Sequence, residues 1–579
     1  MSGRAVLRRG RALLPRWATG YQRAWLRDDV VAGLTLTVML VPQGMAYASL
    51  AGMPPITGLY AAIVSLLVYA ALGTSSHLSF GPFALVALLS AAAVEPLADG
   101  DLTRYVALSG ALALMVAALH LLLAAVRASA IVELISRPVI VGFTAAVGLV
   151  IALSQVRDLT GVDVGRSDRF TTALAAAVEA LARPHGPTVA VGVGSIAILL
   201  LGRRLAPRVP AALIVVVGGI VLAALFDLGD GGVALVGTIP SGLPRPVVPA
   251  VGLGDLEALL APAIVLAVIC YAGNMSMGKA IAARTRERLD ARRELVASGV
   301  ANGAAGLVGG FPVSASFTRT VIVFAAGART QLAGVVAAVC LVATLLVFTP
   351  VLEPLPRAVL GAIVVVAVTG LIDLAGARRI LAVDRADGAV MAVTFGTTLL
   401  LGAEVGLAAG VLGHLAVHVA RNMRPALVEL GRVEGTTLYR SVARHPTVTA
   451  RDGLILRVDG SLEFLNVQHV TGQIRDRVAD QPEVDWVVLV ASGITGLDTT
   501  GLDELHDLQQ HLRDADVHLF LATMRGDQRK VVARGGLWEA LMEVGCHPDI
   551  PSALAAAGVP AGHPVRRPAP DEVRPDTLL

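Results

Sequence analysis

Two apolar regions of the chain are each interrupted by a short stretch of Gly, Pro and small polar residues. The stretches are Ser79–Ala84 and Gly309–Arg319. In each, a short extended piece and a Gly/Pro break come before an apolar run that can be helical, since proline is tolerated at a helix start. In lipid, such broken backbone occurs only where protein or a water-filled cavity surrounds it. Two facing helix N-termini offer free N–H groups and partial positive charge, so the pattern predicts an anion site.

The side chains around these breaks suit the same chemistry. Arg319 is a charge inside an apolar run, which is unfavourable in a membrane unless it faces a cavity or a partner. Gln43, in an earlier apolar run, and the hydroxyls of Ser316 and Thr318 can donate hydrogen bonds to an anion. Two alternatives stay open: Arg319 could pair with a carbonyl or with Glu404, and Gln43 could join two helices. Hydroxyls in membrane helices also often bond back to their own helix.

The elements that must position these residues are membrane helices. The chain has 579 residues, of which 55% are hydrophobic and 16% charged, and its mean hydropathy is +0.71. Many separate apolar runs between Val30 and Ala420 are long enough to cross a hydrocarbon core about 30 Å thick. The runs predict fourteen spans, at residues 30–50, 55–73, 80–95, 104–126, 131–154, 187–202, 209–226, 258–282, 294–309, 312–326, 331–350, 357–372, 387–401 and 403–420.

The arginines predict the orientation of these spans. Seven arginines in residues 1–29 precede the first span and hold the N-terminus in the cytoplasm. Further arginines fall in the loops predicted inside: Arg127, Arg137, Arg203, Arg204, Arg208, Arg284, Arg286, Arg288, Arg292, Arg293, Arg378, Arg379 and Arg385. The loop 227–257, predicted outside, has four acids against Arg245, and the mixed-charge loop 157–186 is also predicted outside. Both termini are therefore predicted to be cytoplasmic, in a protein of the cytoplasmic membrane.

The third span of each set of seven carries one of the two breaks. With an odd number of spans in each half, the halves are inverted relative to each other. This layout is typical of transporters built from an inverted repeat, whose substrate site lies near the membrane midplane.

After Arg421 the composition becomes that of a soluble domain. The predicted strands are Leu454–Val458, Val484–Val490 and His518–Ala522, and the predicted helices are Asn466–Asp480, Gly501–Asp514 and Leu537–Val544. This alternation indicates a small α/β domain. The predicted organisation is a basic N-terminal segment (1–29), a membrane domain (30–421), a linker (422–439), the α/β domain (440–558) and a disordered tail (559–579).

Several motifs resemble those of the SulP anion permeases, the family of sulfate permeases and anion exchangers. They are Val41–Ala48, Ala51–Pro55, Gly58–Tyr60, Gly81–Ala84, Glu294–Asn302, Gly309–Arg319 and Gly327–Gly334. The C-terminal part resembles a STAS domain, with Ala491–Gly501 at its strand-to-helix turn. The motifs are long, follow the family's order and extend the resemblance over about residues 25–558.

The resemblance implies an all-α membrane domain of fourteen spans in a 7+7 inverted repeat. A core of spans 1–4 and 8–11 would carry a small anion by elevator movement against a gate of spans 5–7 and 12–14, in a homodimer. The implied site residues are Gln43, Tyr47, Pro82, Phe83, Ala84, Gly273, Ser314, Ala315, Ser316, Thr318 and Arg319. Phe83 could instead be simple packing. Sulfate, bicarbonate, chloride and small dicarboxylates are all candidate substrates, since helix N-termini bind any of them.

One departure from the family's pattern concerns coupling. Many bacterial and plant members have a glutamate six residues before the basic residue that matches Lys279, and here that position is Gly273. A buried carboxylate is the obvious group for proton or sodium coupling. Its replacement by glycine, as in animal exchangers that lack the acid, favours exchange or uncoupled movement. The alternatives are a cation-coupled symporter with Glu404 as the acid, a channel-like conductor, a receptor that signals through the STAS domain, or a nucleobase transporter.

Other chemistry is not indicated. No Ser/His/Asp arrangement, acid pair or His/Cys cluster points to an enzyme, and no cofactor or nucleic-acid partner is predicted. His414 and His418 are one helical turn apart without a third ligand, so no metal site is predicted. Thr499 matches the residue that can be phosphorylated in soluble STAS proteins, which makes it a candidate regulatory site. A protein partner of the STAS domain is a further open alternative.

Overall fold

The computed structural model describes residues 16–127, 136–162, 170–205, 211–238, 242–535, 545–559 and 565–566. The predicted helix Leu537–Val544, the first fifteen residues of the basic segment and most of the C-terminal tail lie outside the described residues. The chain folds as two units, residues 1–414 and 415–579. The first unit is helical, and the second is an α/β domain.

The first half of the helical unit contains one short strand, β1 (Phe80–Gly81). Its helices are α1 (Leu26–Leu50), α2 (Pro55–Leu72), α3 (Ala84–Ala98), α4 (Leu102–Ala125), α5 (Arg137–Ser154), α6 (Val156–Thr160), α7 (Phe170–Ala182), α8 (Gly186–Leu205) and α9 (Ala211–Leu225). Strand β1 and the start of α3 occupy the predicted break, because Pro82 cannot continue a strand ladder and Phe83 is still extended.

The second half repeats this plan with strand β2 (Ser314–Ala315). Its helices are α10 (Leu253–Ala258), α11 (Leu260–Thr285), α12 (Ala291–Leu307), α13 (Phe317–Ala325), α14 (Leu332–Ala343), α15 (Thr349–Leu352), α16 (Arg357–Val368), α17 (Leu374–Val383), α18 (Arg385–Leu401) and α19 (Ala403–Asn422). Helix α12 ends where Gly309 adopts a φ of +68°, a left-handed conformation that glycine accepts without strain. The chain then turns towards β2.

Each of the fourteen predicted spans contains a helix. Within the described ranges, eight helices are long and apolar enough to cross a membrane, and a ninth span results if the bent pair α7 and α8 counts as one. The two broken spans are shorter, with 15 residues in α3 and 9 in α13, so the count of fourteen stays a prediction. The connection 157–186, predicted as a loop, holds most of α6 and all of α7. Three buried alanines, Ala173, Ala177 and Ala180, let α7 pack close to its neighbours.

The helices pack in two groups. The strongest contacts of the first group join α4 to α12, α1 to α14 and α2 to α12, and those of the second join α5 to α18 and α8 to α16. Strand β1 packs on α2, and β2 packs on α11. Both strands therefore lie within the first group, which comprises the helices predicted to form the core.

Small residues bring the helices of the first group unusually close together. A Cβ atom built on Gly58 of α2 would lie 1.9 Å from the carbonyl oxygen of Gly44 in α1. A Cβ on Gly306 of α12 would lie 2.6 Å from the carbonyl oxygen of Gly110 in α4. Close backbone approach of this kind is how membrane helices gain packing energy without a hydrophobic driving force between them.

The second unit is built on one main sheet. Its strands are β3 (Ala426–Arg432), β4 (Tyr439–Ser441), β5 (Thr449–Ala450), β6 (Gly453–Leu462), β7 (Trp486–Val490), β8 (Ile494–Leu497), β9 (His518–Ala522) and β10 (Cys546–His547), and its helices are α20 (Val467–Ala479), α21 (Thr499–Asp514), α22 (Gly526–Arg534) and α23 (Ile550–Ala556). A further strand, β11 (Val565–Arg566), pairs with β5. The main sheet runs in the order β10–β9–β7–β6–β3–β4, with β8 also paired to β6, and β6, β7, β9 and β10 are parallel.

The predicted strands and the two predicted helices within the described residues are confirmed in type and approximate position. Alternate side chains of the central strands face opposite sides of the sheet, as strand geometry requires. Leu456 and Leu489 pack in the cluster that contains Leu508 of α21, whereas Val488 packs in the cluster that contains Ala553 of α23. Helices therefore cover both faces of the mostly parallel sheet.

The close approach of α1 and α2 makes a stability prediction. Gly58→Ala would place a methyl group against the backbone of α1, which cannot yield as a flexible side chain can, so we expect a loss of roughly 1–3 kcal/mol in stability. The measurement is thermal unfolding of the purified protein in detergent. Gly194→Ala in α8 is the matched control, because a Cβ there meets nothing within 4 Å. Equal melting temperatures for the two variants would contradict the prediction.

Candidate anion-binding site

The two breaks meet as a two-residue antiparallel sheet inside the helical unit. Phe80 pairs with Ala315 and Gly81 pairs with Ser314, and the amide of Ser316 extends the pairing to the carbonyl oxygen of Ser79 at 3.1 Å. Since the strands are antiparallel and a helix follows each one, α3 and α13 leave the pair in opposite directions. Both N-termini therefore lie at the strand pair, which confirms that the two breaks belong to one place in the fold.

Neither half-helix is capped by a side chain. The residues at the N-cap positions, Phe83 before α3 and Ser316 before α13, are extended and make no capping hydrogen bond through their side chains. Some other helices of the same unit begin with an aspartate that accepts hydrogen bonds from the first turn, namely Asp101 before α4, Asp290 before α12, Asp373 before α17 and Asp384 before α18. The first N–H groups of α3 and α13 thus keep their partial positive charge for another acceptor.

Arg319 joins the two half-helices. It lies in the first turn of α13 with 0% of its surface exposed. Its Nη1 donates to the carbonyl oxygen of Pro82 at 2.8 Å, and its Nε donates to Ser79 Oγ at 3.4 Å. Its Nη2 is buried without a hydrogen-bond partner. The guanidinium is therefore partly paired with a carbonyl, as one of the two alternatives expected, and partly free to meet an anion.

Helix α1 passes beside this junction and brings in the two residues expected from it. Gln43 is 6% exposed, and its Oε1 atom is buried without a hydrogen-bond partner. Tyr47, one turn further on, is 4% exposed and lies within electrostatic range of Arg319. Helix α1 also packs against α3 and α13. The structure therefore places Gln43 and Tyr47 on the helix that adjoins both half-helices.

The remaining expected residues divide into accessible and enclosed ones. Thr318, in the first turn of α13, is exposed, and Phe83 is half-buried. The others, Pro82, Ala84, Ser314, Ala315 and Ser316, are buried. The Ser314 hydroxyl donates to Asn274 Oδ1 at 2.9 Å, so in this conformation it supports the strand pair.

Two asparagines that sequence reasoning missed hold β2 in place. Asn274 Oδ1 also accepts the backbone N–H of Ala315 at 2.8 Å. Asn302 Oδ1 accepts the backbone N–H of Val313 at 2.8 Å, and its Nδ2 donates to the carbonyl oxygen of the same residue at 3.1 Å. Both are buried amides within apolar helices. That feature is visible in the sequence and could have marked them, because polar side chains in membrane helices need partners.

A different set of side chains holds the chain that leads into β1. Gln331 Nε2 donates to the carbonyl oxygens of Ser75 and Leu78, at 2.9 and 3.0 Å. The amide of Ser79 donates to Thr320 Oγ1 at 3.1 Å, and the ring of Phe80 stacks on Tyr69 at 5.2 Å. These contacts satisfy backbone groups that would otherwise be orphaned in the apolar interior.

Gly273 and Glu404 lie in different surroundings. A Cβ atom on Gly273 would meet nothing within 4 Å, so this position of α11 has room for a side chain. Glu404 begins α19 and lines a separate cavity of about 320 Å³ between α3, α5, α11 and the turn from α18 to α19. Arg319 bonds to Pro82 and Ser79, whereas the lining of the Glu404 cavity contains none of these three residues.

Thr499 lies in the second unit, at the first position of α21. It is exposed, and the preceding Asp498 caps the helix by accepting the backbone N–H of Gly501 at 2.7 Å. The side chain of Thr499 is therefore accessible at the positive end of a helix.

The fold and the site define a polytopic membrane protein that has two broken helices around a buried arginine and is followed by a STAS-type α/β unit. The chain belongs to the sulfate permease family: the model of that family matches residues 26–394, and the STAS domain model matches residues 440–552. Its resemblance to sulfate permeases and its STAS domain, both expected from the motifs, are thus confirmed.

Similar proteins span nearly the whole chain. A probable sulfate transporter of Mycobacterium tuberculosis is 36% identical over 548 residues, covering 93% of this chain and 98% of the relative. The chloroplastic sulfate transporter 4.1 of Arabidopsis thaliana is 31% identical, covering 90% of this chain and 79% of the relative. Both relatives are named as sulfate transporters, the first as a probable one.

Solved structures show the same fold. The murine Slc26a9 anion transporter in its inward-facing state matches with a TM-score of 0.88 at 23% identity, over 96% of this chain and 95% of that one. The transmembrane domain of the cyanobacterial bicarbonate transporter BicA matches with a TM-score of 0.59 at 21% identity, over 67% of this chain and 98% of that one. At these identities the likeness concerns the fold alone.

The position of Arg319 makes a prediction about binding. Arg319→Ala removes the charge and the free Nη2 donor, so sulfate should bind at least about tenfold more weakly, since charge-assisted hydrogen bonds are the strong ones. Arg319→Lys should lose less, because it keeps the charge but not the planar fork. The measurement is sulfate-dependent thermal stabilisation of the purified protein. The matched control is Arg357→Ala, which removes an exposed arginine that donates to the Leu235 carbonyl oxygen. Unchanged sulfate stabilisation of folded Arg319→Ala would contradict the prediction.

Proposed function

We propose that the protein is a secondary transporter of small anions across the cytoplasmic membrane. The observation that carries this proposal is the junction of α3 and α13, where two uncapped helix N-termini meet a buried arginine whose Nη2 has no hydrogen-bond partner. Positive potential from both helices and from Arg319 favours an anion, and the N–H groups supply donors at fixed positions. Gln43, Tyr47, Phe83, Ser316 and Thr318 are the proposed lining of this anion site.

The proposed architecture is a 7+7 inverted repeat of fourteen spans with an elevator-type core and gate. The grouping of α1–α4 with α11–α14, and of α5–α9 with α16–α19, supports it, because the anion site lies wholly within the first group. A core that carries the site as one body could move it against the second group without rebuilding it. Cytoplasmic termini and a homodimer complete the proposal, and the arginine-rich loops support this orientation.

The proposed mode of transport is exchange or uncoupled movement. The position where many members of the family carry an acid is Gly273, and a Cβ atom there would meet nothing within 4 Å. Glu404, the rival acid, lines a separate cavity. Without a carboxylate that loses its charge as the anion moves, protons have no evident role at this site.

Sulfate is the first substrate to test, with bicarbonate, chloride and small dicarboxylates beside it. The relatives that are 36% and 31% identical are named as sulfate transporters, and one structural neighbour is described as a bicarbonate transporter. All four kinds of anion can accept hydrogen bonds from helix N–H groups and a guanidinium.

The STAS unit is proposed to regulate transport through Thr499. Phosphate on this exposed hydroxyl would add negative charge at the N-terminus of α21, where the helix dipole stabilises it. Such a charge would change the surface that a partner protein meets without disturbing the buried sheet.

The test of the proposed function is flux into proteoliposomes of purified protein loaded with chloride, sulfate, bicarbonate or fumarate. Each anion is measured with and without a pH gradient and with and without an internal counter-anion, beside Arg319→Ala. We expect sulfate uptake that ignores the pH gradient. Dependence on the counter-anion distinguishes exchange from uncoupled flux. Uptake driven by the proton gradient would overturn the coupling proposal, and anion binding without any flux would favour a receptor.

An acid placed at residue 273 tests the coupling proposal directly. Gly273→Glu has room for its side chain. On the proposal that this position faces the transported anion, as the family's pattern implies, a carboxylate there disfavours the anion until the carboxylate is neutralised. We expect uptake by this variant to rise at least about tenfold when the outside is made acidic, and uptake by the natural protein to change little. Ala280→Glu is the matched control, since it adds an acid at an exposed position of the same helix. An equal response of both variants would argue against a coupling role for position 273.

A further inference from the structure

A chain of four buried polar side chains runs from α4 to β2. His120 Nε2 lies 2.8 Å from the carbonyl oxygen of Ala267, and His120 Nδ1 lies 3.1 Å from Ser298 Oγ. Ser298 Oγ in turn lies 3.3 Å from Asn274 Nδ2. Asn274 Oδ1 accepts from the Ser314 hydroxyl at 2.9 Å and from the Ala315 N–H at 2.8 Å. None of these four side chains is more than 2% exposed.

The direction of every hydrogen bond in this chain is fixed. The backbone N–H of Ala315 can only donate, so the atom of Asn274 that faces it must be the amide oxygen. The amide nitrogen of Asn274 then donates to Ser298, and the Ser298 hydroxyl has its proton left for His120 Nδ1. His120 carries its own proton on Nε2 and donates it to a carbonyl oxygen. With a single proton on His120, each of these four contacts in the relay of side chains joins one donor to one acceptor.

We propose that Asn274 is a positioning residue that sets the register of β2, and thereby the first turn of α13, at the anion site. The amide of Asn274 is held in its working orientation by Ser298 and His120. This inference rests on the proposed function, because it assigns Asn274 a part in presenting donors to the transported anion. It assigns no contact between Asn274 and the anion itself.

The effect of Asn274 is local because β2 has a second anchor. Asn302 holds Val313, the residue before β2, through both its Oδ1 and its Nδ2 atoms. The pairing of Phe80 with Ala315 also remains when Asn274 is changed. Loss of Asn274 therefore removes one hydrogen bond each from Ser314 and Ala315, while the pairing of β2 with β1 remains. The residue that follows them is Ser316, the N-cap of α13, so a small shift here moves the donors of the anion site.

The hydrogen bonds of this relay predict a pH dependence in Asn274→Asp that would not be expected if Asn274 had only a structural role. In Asn274→Asp, a protonated carboxyl reproduces the amide: its carbonyl oxygen accepts from β2, and its O–H donates to Ser298. The ionised carboxylate cannot donate to Ser298 and adds negative charge beside the anion site. Acidic pH should therefore restore the natural hydrogen bonds, and alkaline pH should break the relay and repel the anion.

Other titratable groups surround α11. Those of the described residues on elements packed near the relay include His120 on α4, Glu95 on α3, Glu294 on α12, Arg319 on α13, and Cys270, Tyr271 and Lys279 on α11 itself. Burial disfavours the ionised form of the introduced acid, whereas Arg319 favours it. Because all these groups are present in both the variant and the natural protein, a pH dependence that only the variant shows belongs to the introduced acid.

The experiment compares the natural protein, Asn274→Asp, Asn274→Ala and Ser276→Asp in proteoliposomes, with equal pH on both sides and pH 6 to 8 as the variable. Sulfate, or whichever of the four anions the natural protein moves, is the probe. Concentration series give KM and maximal rate, and thermal unfolding in detergent reports folding. Ser276→Asp is the matched control, because it places the same acid at an exposed position of α11, two residues further along the helix.

We expect KM of Asn274→Asp to rise at least about tenfold from pH 6 to pH 8, and KM of the natural protein and of Ser276→Asp to change less than about twofold. Asn274→Ala should have a KM raised about tenfold at every pH, and a lowered melting temperature because the buried Ala315 N–H loses its acceptor, while the protein still folds. The proposal is overturned if Asn274→Asp is as insensitive to pH as the natural protein, or if Asn274→Ala transports normally. A natural protein that moves no anion would instead count against the proposed function.

Discussion

The fold of the membrane unit depends on giving hydrogen-bond partners to the backbone N–H and C=O groups at its two helix breaks, which lie in an apolar interior. Strands β1 and β2 are only two residues long each, yet they pair with each other and so give their N–H and C=O groups partners in the apolar interior. This pairing requires that the two breaks meet and run in opposite directions, as the proposed inverted arrangement of the two halves would bring about. The location of the anion site follows from it, because each strand leads directly into a helix whose N-terminus is left open.

The two strands are held by side chains of different kinds. The chain before β1 is held by Gln331 and, near its start, by Glu294, whose carboxylate accepts the backbone N–H of Thr74 at 2.8 Å. Strand β2 is held by the neutral amides of Asn274 and Asn302. Glu294 thus forms its hydrogen bond with the connection that follows α2, several residues before the strand pair. The Glu294 carboxyl group therefore anchors this connection and lies away from the open helix ends.

Sequence reasoning located the features that rest on local residue chemistry. Gly81, Pro82 and Pro312 mark the breaks because these residue types interrupt helices, and Arg319 stands out because a charge is unusual in an apolar run. The strands of the STAS unit were predicted from runs of apolar residues and from the alternation of apolar and polar residues. The roles of Asn274 and Asn302 could not be predicted from the sequence. Their hydrogen-bond partners lie 41 and 11 residues further along the chain, and the contacts depend on how α11 and α12 pack. For the same reason, a helix in the connection 157–186 was missed, since its buried face consists of small alanines.

Burial of the charged Arg319 guanidinium is unfavourable, and this explains why hydrogen-bond acceptors surround it. A charge fully enclosed by protein is unfavourable unless it is paired and hydrogen-bonded, and here the partners are a carbonyl oxygen of Pro82 and the hydroxyl of Ser79, both neutral. Neutral acceptors orient the guanidinium without cancelling its charge. A carboxylate in the same place would stabilise Arg319 more strongly, but it would also occupy the guanidinium face that an anion needs. The incomplete pairing of Arg319, with Nη2 left without a hydrogen-bond partner, is therefore the feature on which the proposed binding of an anion depends.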